Sequence, residues 1–267
     1  MIVAQLSDTH LLSIDDKNEI AKLRADNLMA AVTAINNLAP LVDAVIHTGD
    51  MTHTHAPDEY GLAREIMSAL RSPLYVVPGN RDSRTNLRRT FIDDGYLKGY
   101  QNEPILYSID RHAVRLIGYD SLSETSNKGD IDQNRLNWLD SALSNYPERP
   151  TVIFMHHPPV LVTTSKYPWA YDNKEAGEKL AAIVSRHPQV VRLFCGHSHR
   201  PFIAPFAGTE ASTVPSIATD LRQDPYPKAL THTPVFQVHK MDKNGNFLSE
   251  SHTAGMQHRN DAMSASG

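Results

Sequence analysis

Val190-Val191-Arg192-Leu193-Phe194-Cys195-Gly196-His197-Ser198-His199 runs from a six-residue apolar segment into a glycine and two imidazoles. The segment is too short for a helix and rich in β-branched and aromatic side chains, so it reads as a buried strand. The same design recurs four times upstream. Ile2–Leu6 ends at Ser7-Asp8-Thr9-His10 and Val42–His47 at Gly49-Asp50. Leu74–Val77 ends at Pro78-Gly79-Asn80-Arg81-Asp82, and Thr151–Met155 at His156-His157. Between these strands lie helical patterns at Glu19–Leu38, Asp58–Leu70, Asp132–Leu143 and Glu175–Arg186, with apolar residues three and four apart. Strands alternating with helices indicate an α/β protein. In open α/β sheets ligands bind beyond the carboxyl ends of the strands. Five polar clusters at one sheet edge are therefore expected to converge.

Ile105–Ile109 and Val114–Tyr119 read as two neighbouring strands. From about residue 201 the pattern changes to β segments at Pro201–Phe206, Thr209–Val214 and Pro234–Lys240, joined by a Pro-, Asp- and Thr-rich connection over 218–233. No linker divides the chain, so residues 1–255 are expected to form a single domain. The small polar stretch 256–267 is expected to be a flexible tail.

The chain has 267 residues, 40% apolar and 21% charged, with a net charge of −4. That balance is ordinary for a globular protein. It disfavours a nucleic-acid polymer held through its phosphates, because no basic surplus exists to displace counterions. A small phosphate ester stays compatible, since bound cations reverse the local charge. One cysteine, Cys195, cannot form an internal disulfide, and the N-terminus lacks a signal-peptide pattern. No apolar run approaches the ~20 residues of a membrane span. The expected location is the cytoplasm; the sequence leaves a homo-oligomer open.

The clusters mix carboxylates, imidazoles and an amide, which suits first-row divalent metals. Taken singly, Asp8 could cap a turn, Asp50 and Asn80 could be turn residues, and His197 and His199 could be surface histidines. Together, Asp8, His10, Asp50, Asn80, His156, His197 and His199 exceed what one catalytic ion needs. Two divalent ions drawn from Mn, Fe, Zn or Co are expected, with an aspartate bridging them through its two oxygens.

Asp-x-His, Gly-Asp, Gly-Asn-x-Asp, His-His-Pro-Pro and Gly-His-x-His, in that order, resemble the calcineurin-like metallophosphoesterases. The finer pattern is similar to the bacterial branch containing class III cyclic nucleotide phosphodiesterases and glycerophosphodiesterases. It is carried by Ser7-Asp8-Thr9-His10, Val77-Pro78-Gly79-Asn80, Phe154-Met155-His156-His157-Pro158-Pro159 and Phe194-Cys195-Gly196-His197. The resemblance implies a four-layer α/β/β/α sandwich with a dinuclear site at one edge. It implies Asp8, His10 and His199 at the first metal, Asn80, His156 and His197 at the second, and Asp50 between them. It also implies hydrolysis of small phosphodiesters, cyclic nucleotides or glycerophosphodiesters, by metal-bound hydroxide. The alternatives are a phosphomonoesterase such as a nucleotidase, and a non-catalytic scaffold of the same fold.

The chain departs from the family pattern at Arg81, where a histidine is usual. Arginine can grip two phosphoryl oxygens but cannot protonate a leaving group at working pH. Arg81 is thus a candidate phosphate clamp, with pairing to Asp82 as the plainer reading. Four lesser expectations follow. His53 and His55 sit in a polar loop that could overhang the site. His157 alternates away from the metals. Cys195 is a core thiol. Tyr167, Trp169 and Tyr171 form an aromatic loop that could cap a substrate.

Overall fold

In the strand Thr151–Phe154, side chains alternate between two different hydrophobic cores, and this alternation builds the layers. In the computed structural model, which describes residues 1–14, 18–166, 168–222 and 226–255, Val152 and Phe154 join one core while Ile153 and the following Met155 join the other. A strand with period two and both faces buried needs a layer on each side.

The elements in order are β1 (Ile2–Leu6), α1 (Glu19–Asn36), β2 (Ala44–His47), α2 (Pro57–Met67), β3 (Leu74–Val76) and α3 (Arg84–Thr90). There follow β4 (Leu106–Ile109), β5 (Arg115–Tyr119), α4 (Gln133–Ser144), β6 (Thr151–Phe154), α5 (Lys174–Val184) and β7 (Val190–Cys195). The chain continues through β8 (Phe202–Phe206), β9 (Thr209–Thr213), β10 (Val235–Met241) and β11 (Phe247–Thr253). One sheet has the order β11-β10-β1-β2-β3, with β1, β2 and β3 parallel. The other is β4-β5-β6-β7-β9-β8, with β5, β6, β7 and β9 parallel. Phe154 and Phe194 share a core with Leu28, Val45 and Phe236, whereas Leu193 and Cys195 pack with Leu136, Leu139 and Leu180 of α4 and α5. The result is helices, sheet, sheet, helices. Among the described residues, no helix is long and apolar enough to cross a membrane.

Most expected elements lie within a few residues of their predicted limits, and β7 matches at both ends. Two were not legible. α3 has a Ser83 cap, but Leu87 is its one buried apolar residue, so it carries no stripe. β11 is an edge strand whose interior residues are largely exposed, so it lacks alternation. The expectation of one sheet edge is corrected: three polar clusters leave the first sheet and two leave the second. The proposed tail at 256–267 lies outside the described residues.

The sheets are also joined by polar contacts. Gln5 on β1 donates from Nε2 to the Cys195 carbonyl on β7 at 2.9 Å and lies 3.0 Å, through Oε1, from His239 Nε2 on β10. Because Gln5 Oε1 can only accept, His239 carries its proton on Nε2, and its Nδ1 accepts from Ser249 at 2.8 Å. The ring stacks on Phe194 with centroids 3.9 Å apart. Burial, reinforced by Arg192, pushes the His239 imidazole down to about 3. A base neutral in the folded state contributes stability above its unfolded pKa of about 6.5 and loses it as pH falls toward 3. His239→Gln should therefore flatten the decline of unfolding free energy between pH 6.5 and 4. Urea titrations at several pH values would check this; parallel slopes for parent and variant would contradict it.

Candidate metal centre

The loops beyond β1, β2, β3, β6 and β7 meet in the gap between the two sheets. Gly49 and Gly79 set how closely they approach. Gly49 has φ of +90°, and a Cβ there would lie 2.6 Å from Gly79 N and 2.7 Å from His156 Nδ1. A Cβ on Gly79 would overlap the backbone nitrogen and Oδ1 of Asp50. Five of the seven expected ligands are themselves in the left-handed region: Asp8 (54°), His10 (44°), Asp50 (53°), His197 (66°) and His199 (54°). Each such residue costs on the order of 1–3 kcal/mol, and such strain collects at functional sites.

All seven expected residues come together. Asp50 Oδ1 accepts from the Arg81 backbone N–H at 2.7 Å. Its Oδ2 lies 3.5 Å from His10 Nε2 and 3.6 Å from His156 Nε2. Oδ2 is thus the Asp50 oxygen that faces both histidines. On one side His199 Nε2 is 3.2 Å from Asp8 Oδ1 and 3.3 Å from His10 Nε2. On the other, Asn80 Oδ1 is 3.1 Å from His156 Nε2 and 3.0 Å from His197 Nδ1, and those two nitrogens are 3.3 Å apart.

His156 Nδ1 meets the Thr48 carbonyl at 2.7 Å, and His199 Nδ1 meets the Leu221 carbonyl at 3.1 Å. A carbonyl only accepts, so both rings are protonated at Nδ1 and turn Nε2 toward carboxylate and amide oxygens. Asp8 Oδ1 is buried without a hydrogen-bond partner. Burial favours a neutral Asp8, but His199, His156 and His10 outweigh it and hold the carboxyl well below the usual range. Burial, opposed by His156 and supported by Asp8 and Asp82, pushes Asp50 up to about 7. His10 is held well below an ordinary imidazole by burial and by His199, and His197 falls to about 3 through burial and His156. For His199, burial is overcome by Asp8, which raises it to about 9. Burial keeps His10 and His197 below the ordinary imidazole range, whereas Asp8 favours a protonated His199, so a divalent cation binding there would take the place of the His199 proton.

Above this floor opens a cleft of about 390 Å³, lined by Arg81, Asn127, Lys128, Ser165, Trp169 and Ser198 with five of the seven residues. The five are His10, Asp50, Asn80, His197 and His199.

A family model of the calcineurin-like phosphoesterases matches residues 1–201. The chain belongs to that family. It is similar to a probable glycerophosphodiester phosphodiesterase of Arcobacter nitrofigilis, 34% identical over 90% of this chain and 88% of the relative. It is also similar to the 3′,5′-cyclic adenosine monophosphate phosphodiesterase of Escherichia coli K12, 24% identical over 82% of this chain and 77% of the relative. A dimetal phosphatase of Danio rerio shares the fold, with a TM-score of 0.68 at 16% identity, covering 93% of this chain and 98% of that one.

Within this phosphoesterase, several supporting residues escaped sequence reasoning. Arg24 on α1 donates to the His10 carbonyl at 2.8 Å and pairs with Asp220 at 2.7 Å, tying the first loop to the turn whose Leu221 holds His199. His47 accepts from Gly49 N at 3.2 Å through Nδ1 and meets Thr9 Oγ at 3.1 Å through Nε2. Nothing in the spacing marks these residues. Asp82 lay within a recognised motif, but its task was not visible. It accepts from Gly79 N, Met51 N, Thr52 and Tyr60, so it stitches the second and third loops together and does not pair with Arg81.

The lesser candidates divide. Tyr171 is fully buried and donates to the His157 carbonyl at 2.8 Å, so it cannot cap a substrate; Tyr167 lies outside the described residues. His157 Nδ1 lies 2.9 Å from Ser121 Oγ, although its ring stands only 4.6 Å from that of His197. Burial raises the Cys195 thiol, in keeping with a core residue. His55 is exposed, whereas His53 meets His10. The interlock at Gly79 yields a direct test. Gly79→Ala should lower stability by ~1–3 kcal/mol through overpacking and leave fewer than two metal equivalents per chain by elemental analysis. Full metal content with unchanged stability would refute the close-approach account.

Proposed function

We propose that the chain is a two-metal phosphodiesterase acting on small diesters, with glycerophosphodiesters ahead of cyclic nucleotides. Asp8, His10 and His199 would hold the first ion, Asn80, His156 and His197 the second, and Asp50 would be shared between them. The observation that carries this reading is the paired set of bare nitrogens and oxygens about Asp50 Oδ2. Mn, Fe, Zn or Co suits the donor set. Such ions supply charge stabilisation and water activation to phosphoryl transfer. The order of substrates follows the relatives, since the glycerophosphodiesterase is both more similar and more fully covered. The domain assignment of residues 1–255 and a cytoplasmic setting belong to the same proposal.

The chain's own residues bind and orient the ester. Arg81 is fixed through its backbone N–H on Asp50 Oδ1, its side chain is exposed, and it lines the cleft. With Asp82 saturated elsewhere, the Arg81 guanidinium is available to clamp the phosphoryl oxygens. Substrate charge therefore meets a fork placed beside the bridging carboxylate. A monoester dianion would also be attracted by this cation, which keeps a phosphomonoesterase as the second reading.

A panel of esters assayed with Mn²⁺ separates the two. Bis(p-nitrophenyl) phosphate should be cleaved faster than p-nitrophenyl phosphate, and glycerophosphodiesters faster than 3′,5′-cyclic AMP. A monoesterase profile would overturn the diester assignment. Arg81→Ala should cost ~2–4 kcal/mol of transition-state stabilisation, or two to three decades in kcat/KM. Arg81→Lys should recover part of this. Arg81→His restores a group that titrates near neutrality, so it should help poor alkoxide leaving groups more than p-nitrophenolate. Unchanged kinetics in Arg81→Ala would remove the clamp.

A further inference from the structure

The outer nitrogens of the candidate histidine ligands are not held alike. His156 and His199 each place Nδ1 on a backbone carbonyl, of Thr48 and Leu221 respectively. Their tautomers are set by main chain. His10 Nδ1 has a different neighbour, His53 Nδ1 at 3.4 Å, with the rings edge to face at 5.5 Å between centroids. The other nitrogen, His10 Nε2, stands where a coordinating lone pair is required. It lies 3.3 Å from His199 Nε2, 3.5 Å from Asp50 Oδ2 and 3.8 Å from Asp8 Oδ1. A neutral imidazole with a bare Nε2 carries its proton on Nδ1. That proton lies between His10 and His53, so His53 must accept it.

We propose that His53 is a positioning residue for the first metal pocket: its Nδ1 accepts the Nδ1–H of His10 and fixes the tautomer that frees His10 Nε2 to coordinate. This rests on the two-metal reading above. His53 is half-buried, and its own proton then sits on Nε2. Its segment is anchored on both sides. The His53 backbone N–H donates to the Leu11 carbonyl at 2.9 Å, one residue beyond His10. The next residue, Thr54, donates through its backbone and hydroxyl to the buried carboxylate of Glu59 at 2.9 and 2.8 Å. His53 is therefore a fixed acceptor and not a loose loop residue. Partners of this kind orient a metal-binding imidazole and raise its basicity, and their loss commonly weakens metal binding 10- to 100-fold. The two pockets consequently differ in kind. In the second, His156 is oriented by a backbone carbonyl, whereas in the first, His10 depends on a side chain.

The test titrates the full chain, stripped by chelator, with Zn²⁺ against a fluorescent competitor. The parent should bind two equivalents. His53→Ala should bind one of them at least ~10-fold more weakly and the other within about twofold. His53→Asn should restore most of the loss, because an Asn amide oxygen can replace Nδ1 as acceptor. Long-range ¹⁵N–¹H spectra of the zinc-loaded parent should show His10 protonated at Nδ1. His53→Ala binding both equivalents as tightly as the parent would overturn the proposal, as would Asn recovering no more than Ala. If His53→Ala does not fold, the parent spectrum decides, and His10 protonated at Nε2 would sink the idea. A parent that binds fewer than two equivalents would instead defeat the two-metal reading, and the inference with it.

Discussion

The carboxylate of Asp50 is the constraint around which the rest is arranged. One oxygen is fastened to the Arg81 backbone and the other is shared between His10 and His156, which come from different sheets. A buried oxygen facing bare imidazole nitrogens is unfavourable without positive charge between them. The fold holds these groups together only because the surrounding backbone leaves them no alternative. The loops after β1, β2 and β3 supply four of the seven candidate residues and those after β6 and β7 the other three, so the cluster exists only when the two sheets pack face to face.

That packing is secured twice. Apolar side chains of β5, β6 and β7 alternate between the inter-sheet core and the helices α4 and α5. Polar contacts then fix the relative position of the sheets: Gln5 reaches the Cys195 carbonyl, one residue before the glycine that leads to His197, and also meets His239. Hydrogen bonds are directional where hydrophobic burial is not. Core packing thus provides the stability, while the Gln5 contacts restrain sliding of one ligand half past the other. The left-handed backbone at five of the candidate positions follows strands that are paired on both sides.

The residues on the two sides of Asp50 Oδ2 are not equivalent. The two groups differ in donors, with two imidazoles and a carboxylate on one side and an amide and two imidazoles on the other. Their outer supports differ as well. Arg81 stands at the cleft above them, in the position where the family pattern has histidine, and brings permanent charge in place of a titratable proton.

The sequence by itself determined which strands end in polar clusters, the α/β alternation and the identity of the seven candidate residues. Each of these is local: a short apolar run, a glycine turn, a polar residue of known coordination chemistry. It also marked Arg81 as a departure, because a single position suffices to see it. Tertiary structure alone decided that the clusters divide between two sheets, that Asp50 turns one oxygen to the Arg81 backbone and the other to two histidines, and that Asp82 serves the loops. It likewise decided that Arg24, His47, His53, Asp220 and Leu221 brace the site. These roles depend on contacts between residues as far apart as 196 positions, as in the Arg24–Asp220 pair. Such contacts arise from how completed elements pack, and no periodicity or spacing along the chain encodes them.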